Sequence, residues 1–146
     1  MKIKNRLFEN KQYFVTIGKI HTSDQLSVVD AYRINRLVKK LSELQEEFSE
    51  LKKRILSQHG TPNEEEGTIT ISAEDRAGFN TEYNDLLDIE HILETEKLPF
   101  PNKIEDGFSA TDLNVLETFF DLSELEPEEK PKEDEPDNTP TEQESE

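Results

Sequence analysis

Cysteine is absent from this sequence of 146 residues, which excludes disulfide bonds, thiolate metal sites and a cysteine nucleophile. Glycine is scarce, with five residues, and there is no Walker A run, glycine-rich dinucleotide loop or Gly-x-Ser-x-Gly elbow. No apolar stretch approaches the roughly 20 residues that span a bilayer, and the start of the chain lacks the apolar core of a secretory signal. These absences predict a cytoplasmic, non-enzymatic protein without a cofactor.

Basic residues are outnumbered by acidic residues, 17 to 34, which gives a net charge of −17. Nucleic acids and anionic membrane surfaces attract Lys and Arg and repel such a chain. We therefore expect no direct binding of nucleic acid or membrane, and we expect a protein partner instead.

The last 26 residues differ in composition from the rest of the chain. From Asp121 onward there are 12 acidic and 2 basic residues, whereas the first 120 residues hold 22 and 15. Such a segment buries too little apolar surface to offset its ordering entropy. We predict a helical domain over residues 1–121 and a disordered acidic tail over residues 122–146. The tail is interpreted as solubilising, and occupancy of a basic surface on a partner is the alternative.

The clearest predicted element is a long helix from about Asp24 to Gln58. A capping-box pattern at Thr22–Gln25 marks its start, and Gly60 and Pro62 mark its end. Apolar residues between them recur at alternating spacings of three and four, which is typical of a heptad seam. The seam consists of Ile34, Leu37, Leu41, Leu44, Phe48, Leu51 and Ile55.

One helix cannot bury this seam alone, so the seam is the predicted partner-binding surface. A second helix over about residues 73–94, with Ser72 as its cap, would form a hairpin with the first but is too short to cover it. The remainder needs the N-terminal segment or a second copy of the chain. In a parallel dimer, Glu47 of one copy would face Lys52 of the other, so a homo-oligomer remains open.

Shorter elements flank the predicted hairpin. Thr68–Ile71 alternates polar and β-branched residues and predicts one short strand, with Lys2–Lys4 or the stretch Lys97–Ile104 as its neighbour. Residues 5–20 suit either a strand or a helix that ends near Gly18, and we favour the helix.

A closing helix is predicted after Ser109, because Asp112 follows three residues later in a capping-box arrangement. We expect it to dock on the hairpin. The predicted fold class is therefore mainly α: a long helical hairpin with short flanking helices, a minor β element and an acidic C-terminal tail.

Candidate chemical groups are few. His91 lies between Asp88 and Glu94 on the predicted second helix, but a metal site in a helical bundle needs carboxylates from several helices. We therefore predict no metal site and no catalytic residue.

Three basic residues of the long helix, Arg33, Arg36 and Lys40, share one face at spacings of three and four. The plainer interpretation is a solvated helix face. The alternative is a basic docking site for an acidic partner or for the protein's own tail.

The order of these patterns resembles that of a known group of proteins. A capped helix contains Ala31–Leu41 and Glu46–Phe48, an acidic turn follows, and then come Phe79–Glu90, Lys103-Ile104 and Ser109–Leu113. Residues 22–122 are similar in this layout to small uncharacterised proteins of tailed phages and prophages of Gram-positive bacteria. The resemblance implies a phage origin and a host-cytoplasm setting, and it implies no activity or site.

Three functions are compatible with these observations. The first is non-catalytic protein–protein interaction, with assembly of phage particles as one setting. The second is an acidic inhibitor of a host defence or DNA-handling protein, which the net charge favours. The third, a metal-dependent enzyme centred on His91, ranks well below both.

Overall fold

The computed structural model describes residues 1–101 and 107–125. Helices dominate these residues, which confirms the mainly α fold class: α1 (Lys11–His21), α2 (Val28–His59), α3 (Arg76–Leu87) and α4 (Ala110–Leu116), with 3-10 turns at Asn5–Glu9 and Ser123–Leu125. Short strands pair two by two: β1 (Lys2–Lys4) with β4 (Glu90–Ile92), β2 (Gly60–Asn63) with β3 (Thr68–Ile71), and β5 (Leu98–Pro99) with β6 (Phe120–Asp121). Most of the predicted acidic tail, 126–146, lies outside the described residues, as does Lys103-Ile104.

The long helix α2 begins later than the sequence pattern predicts. Ser27, and not Thr22, is its cap: the Ser27 hydroxyl accepts a hydrogen bond from the Asp30 amide at 3.1 Å and donates one to the Asp30 carboxylate at 2.7 Å. Such a cap satisfies amide groups that have no partner in the first helical turn. From this start, α2 runs through 32 residues to His59.

Helix α3 packs antiparallel on the C-terminal half of α2, as the predicted hairpin requires. The ring of His59, at the end of α2, lies 6.3 Å from the ring of Phe79, near the start of α3. Further back along α2, the Lys52 ammonium lies 5.7 Å from the centre of the Tyr83 ring. Because later residues of α3 meet earlier residues of α2, the two helices run in opposite directions.

The predicted second helix is too long at both ends. The observed helix α3 starts at Arg76 and stops at Leu87. Residues Glu90–Ile92 form β4, which pairs antiparallel with Lys2–Lys4. Helical periodicity predicted residues 73–94 as one element. The periodicity is a local pattern and carries no information about a strand partner some 88 positions earlier in the chain. His91 consequently sits on a strand and not on a helix.

The predicted strand at Thr68–Ile71 exists as β3, but within the described residues neither expected neighbour pairs with it. Its partner is Gly60–Asn63, which directly follows α2 and was predicted only as a helix stop. Gly67 takes a φ of 63° in the connection, a conformation that residues with a Cβ rarely adopt. A local hairpin therefore replaces the predicted long-range pairing.

The N-terminal segment is helical, as favoured, and α1 continues past Gly18 to His21. The closing helix α4 forms as predicted, with Ser109 and Asp112 in a capping box. Its main partner is α1 and not the α2–α3 hairpin, so the expected docking position is wrong. The reason is a polar contact that the sequence pattern does not reveal.

That contact is a buried carboxylate between α1 and α4. The Asp112 side chain is fully buried and accepts hydrogen bonds from Gln12 (2.7 Å), Thr16 (2.5 Å) and Lys19 (2.7 Å) of α1. The amide of Ser109 donates to it at 2.8 Å and the Ser109 hydroxyl at 3.1 Å. Hydrogen bonds from Lys19, Thr16 and the Ser109 amide hold the pKa of Asp112 well below its ordinary value. The ionised carboxylate thus fixes α4 on α1.

We predict that Asp112→Asn lowers the free energy of unfolding by about 2 to 3 kcal/mol at pH 7, because it removes the buried charge that Lys19 faces. The depressed pKa means that the ionised carboxylate stabilises the fold fully above its unfolded pKa of about 3.9 and progressively less as the pH falls below it. Denaturant unfolding should therefore show the deficit at neutral pH and a smaller one below about pH 4.

Asp30→Asn is the matched control, because Asp30 holds the same position in the more exposed capping motif of α2. We expect a loss below about 1 kcal/mol there. Equal losses for the two variants would contradict the role given to the buried carboxylate.

Candidate functional site

The predicted heptad seam of α2 is mostly buried inside the chain. Five of its seven residues are at most 7% exposed, and they are Ile34, Leu37, Leu41, Leu44 and Phe48. Helices α1 and α3 and the turn at Asn5–Glu9 all contact α2. The prediction that these five residues form a partner-binding surface is therefore wrong, because the N-terminal segment covers what α3 leaves open.

The C-terminal end of the seam is less enclosed. Leu51 remains 41% exposed, and Ile55 is half-buried against the core. These two residues alone make a much smaller apolar surface than the predicted seam.

Lys52 has its partner within the same chain. Its ammonium bonds to the Glu9 carboxylate at 2.6 Å and lies over the rings of Phe48 and Tyr83. Burial, together with a hydrogen bond to Glu9, raises the pKa of the Tyr83 hydroxyl. The cluster holds the N-terminal turn against the hairpin, so the Glu47–Lys52 pair predicted between two copies is not needed to neutralise Lys52.

The other predicted docking residues lie on a surface groove. Arg33, Arg36 and Lys40 line a groove of about 530 Å³ between α2 and the segment 92–98. Among the described residues, the lining consists of Tyr32, Arg33, Arg36, Leu37 and Lys40 on the α2 wall and Ile92, Leu93, Glu94, Thr95 and Leu98 on the opposite wall. We call this the basic groove.

The basic groove combines an apolar floor with exposed apolar rims. Leu37 and Leu93 are 7% and 5% exposed and belong to the core. Tyr32 is 62% exposed on one wall, and Ile92 is 70% exposed on the other. The Arg36 guanidinium lies 5.9 Å from the centre of the Tyr32 ring, which keeps both side chains on the same wall.

The apolar rim continues along α2 toward its start. Val28 and Val29 precede Tyr32 by one turn and are 87% and 57% exposed. Contiguous exposed apolar residues of this kind are typical of interaction surfaces.

The cations of the basic groove have few partners among the described residues. Within residues 1–101 and 107–125, neither Arg33 nor Arg36 forms an ion pair, and Lys40 reaches only the exposed Glu43 at 3.5 Å. An exposed pair of that kind contributes little. Glu94 is the one acidic residue in the described part of the lining, where three cations therefore face one carboxylate. The groove is locally positive on a chain whose net charge is −17.

His91 takes part in a structural contact. Its Nε2 atom lies 2.7 Å from the Asn5 side-chain oxygen, and the side-chain NH2 group of Asn5 donates to the Leu86 carbonyl at 2.9 Å. Among the described residues, no three His, Asp or Glu side chains are placed to hold a metal ion. Nor does any helix in this part of the chain have the length and apolar character to cross a membrane.

Sequence reasoning found only half of the basic groove. The spacing of Arg33, Arg36 and Lys40 identified one wall, and Tyr32, four residues before Arg36, could have been added by the same argument. The opposite wall was missed because Ile92 and its neighbours were predicted as helix.

Comparisons with known proteins add no further constraint, since no family model, curated protein or solved structure matches this chain. The resemblance of residues 22–122 to small phage proteins stays a prediction.

We predict that Leu41→Ala, which empties a site only 1% exposed, lowers the free energy of unfolding by about 2 to 5 kcal/mol. Leu51→Ala makes the same chemical change on the same helix at a site 41% exposed, and should cost less than about 1 kcal/mol. Urea unfolding of both variants measures the difference. Similar losses at the two positions would show that the seam is not closed by the chain's own segments.

Proposed function

We propose that this protein acts without catalysis, by binding a partner protein in the basic groove. The partner would present a short segment that carries both acidic and apolar side chains. The observation that supports this proposal is the set of three cations, Arg33, Arg36 and Lys40, around an apolar floor.

These cations carry an energetic cost when the groove is empty. Arg33 and Arg36 are three residues apart and Arg36 and Lys40 four apart, so like charges are neighbours on the helix surface. Such neighbours destabilise a helix by about 0.2 to 0.5 kcal/mol per pair. A carboxylate from a partner would relieve this repulsion, and the exposed faces of Tyr32 and Ile92 would be covered by its apolar residues.

The resemblance to phage proteins supports one setting for this binding. We propose that the partner is a phage protein and that the complex aids the building of phage particles in the host cytoplasm. An interaction protein of this kind needs only a stable scaffold and one selective surface.

A second candidate function is inhibition of a basic host protein. Glu43, Glu46, Glu47 and Glu50 are all exposed along α2, and the whole chain has a net charge of −17. Such a stripe would attract a basic surface in a salt-dependent manner. This function uses the acidic stripe and not the basic groove.

The groove proposal is tested with a fluorescent peptide, acetyl-(Glu-Val)4, titrated with the full chain at an ionic strength of about 0.15 M, where charges more than about 8 Å apart in solvent are largely screened. We expect Arg33→Glu with Arg36→Glu to weaken binding by about tenfold or more, because two attractive contacts become repulsive. Fluorescence anisotropy gives the dissociation constants.

Lys53→Glu with Arg54→Glu is the matched control. It makes the same charge change on an exposed part of the same helix, outside the groove lining. We expect this control to weaken binding by no more than about twofold, since distant charges are screened. Equal weakening by the two double variants, or no binding of the peptide at all, would overturn the proposal.

A further inference from the structure

We infer that the partner segment binds as an extended strand, added to the free edge of β4 along the basic groove. This inference rests on the proposed function and specifies the backbone geometry of the complex.

The backbone hydrogen bonds between β1 and β4 show which residue pairs of the ladder are bonded. The Leu93 amide donates to the Met1 carbonyl at 2.8 Å, and the Asn5 amide donates to the Ile89 carbonyl at 3.1 Å. Met1–Leu93 and Asn5–Ile89 are therefore hydrogen-bonded pairs of the ladder. Ile3–His91, which lies midway between them, is a hydrogen-bonded pair as well. In an antiparallel ladder, hydrogen-bonded pairs alternate with pairs that form no bond to each other.

The alternation leaves the backbone of Ile92 free of β1. Lys2–Ile92 and Lys4–Glu90 are the non-bonded pairs, so the N–H and C=O groups of Ile92 and Glu90 point away from β1. Among the described residues, no backbone group accepts a bond from the amide of either residue. Within the described part of the chain, β4 thus has an edge with unused donors and acceptors, which is a template for another strand.

The free edge of β4 borders the basic groove. Ile92 lines the groove, together with the residues that follow it, whereas no residue of β1 does so within the described chain. The groove therefore lies on the side of β4 away from β1, which is the side to which the Ile92 amide points. A strand bound there would run alongside β4 and present one of its two faces to α2.

The two sides of the basic groove would select different side chains on the bound strand. Successive side chains of a strand point to opposite faces, so every second one would face the α2 wall. Arg33, Arg36 and Lys40 on that wall select acidic residues at those positions. The intervening residues would lie beside the exposed Ile92 side chain, where β-branched apolar residues pack best. The ligand is therefore an extended segment in which acidic and apolar residues alternate.

The test compares two peptides of equal charge on the full chain, acetyl-(Glu-Val)4 and acetyl-(Glu-Pro)4. Proline has no amide hydrogen and cannot donate to the ladder, so we expect the second peptide to bind about tenfold more weakly or worse. The two peptides could bind with equal affinity, and both could lose binding in the Arg33→Glu, Arg36→Glu chain. That result would overturn strand addition and leave the proposed function intact. Failure of both peptides to bind would overturn both.

A backbone change in the protein gives an independent reading. Ile92→Pro removes one outward amide that β1 does not use, and Ile92→Thr keeps that amide while changing the side chain. We expect the proline variant to weaken acetyl-(Glu-Val)4 binding by about tenfold and the threonine variant by less than about threefold. Equal effects of the two variants would overturn the inference, and unchanged circular dichroism verifies that both are folded.

Amide hydrogen exchange in the unaltered chain identifies the occupant directly. Saturating acetyl-(Glu-Val)4 should slow exchange at Ile92 by about tenfold or more while His91, already bonded to Ile3, changes little. If the Ile92 amide already exchanges slowly without peptide, and exchanges more slowly as the protein concentration rises, the inference is overturned and the edge is assigned to a second copy. If the Ile92 amide exchanges slowly without peptide, and this protection is lost in a Glu133→Gln, Asp134→Asn, Glu135→Gln chain, the inference is overturned in favour of the chain's own acidic segment.

Discussion

A helix of 32 residues with an apolar edge from Ile34 to Phe48 exposes that edge to water unless other segments cover it. Helix α3 is only 12 residues long and meets α2 near its C-terminal end, so it leaves the rest of the edge open. The N-terminal turn and α1 complete the cover, and β1 ties the start of the chain to β4. Elements that are distant in sequence are therefore assembled around one helix, because burial of its apolar surface drives the fold.

Two polar contacts determine where the covering segments sit. The ionised Asp112 holds α4 on α1 through donors from Gln12, Thr16, Lys19 and Ser109, and its complete burial makes each missing donor costly. Lys52 and Glu9 fix the N-terminal turn beside the α2–α3 pair. Apolar burial alone would allow the covering segments several positions, whereas these directional bonds select one.

Local signals in the sequence predicted the elements, and long-range contacts decided their arrangement. The heptad spacing located α2, and the capping box of Ser109 and Asp112 located α4, because both depend on residues within one or two turns. The pairing of Lys2–Lys4 with Glu90–Ile92 joins residues 88 or so positions apart, which no local pattern encodes. The same pairing turned the predicted helix end at Ile92 into a groove wall. Sequence therefore indicated the cations Arg33, Arg36 and Lys40 but not the surface opposite them.

Closure of the seam changes which surface is left for a partner. Because the chain covers most of its own apolar edge, the basic groove beside Tyr32 and Ile92 is a surface that a partner can reach without opening of the core. The central claim is that folding and seam closure occur within one chain. The most direct measurement is the thermal unfolding midpoint over about a hundredfold range of protein concentration. Our account predicts a constant midpoint, and a midpoint that rises with concentration would show that a second copy completes the core and would contradict it.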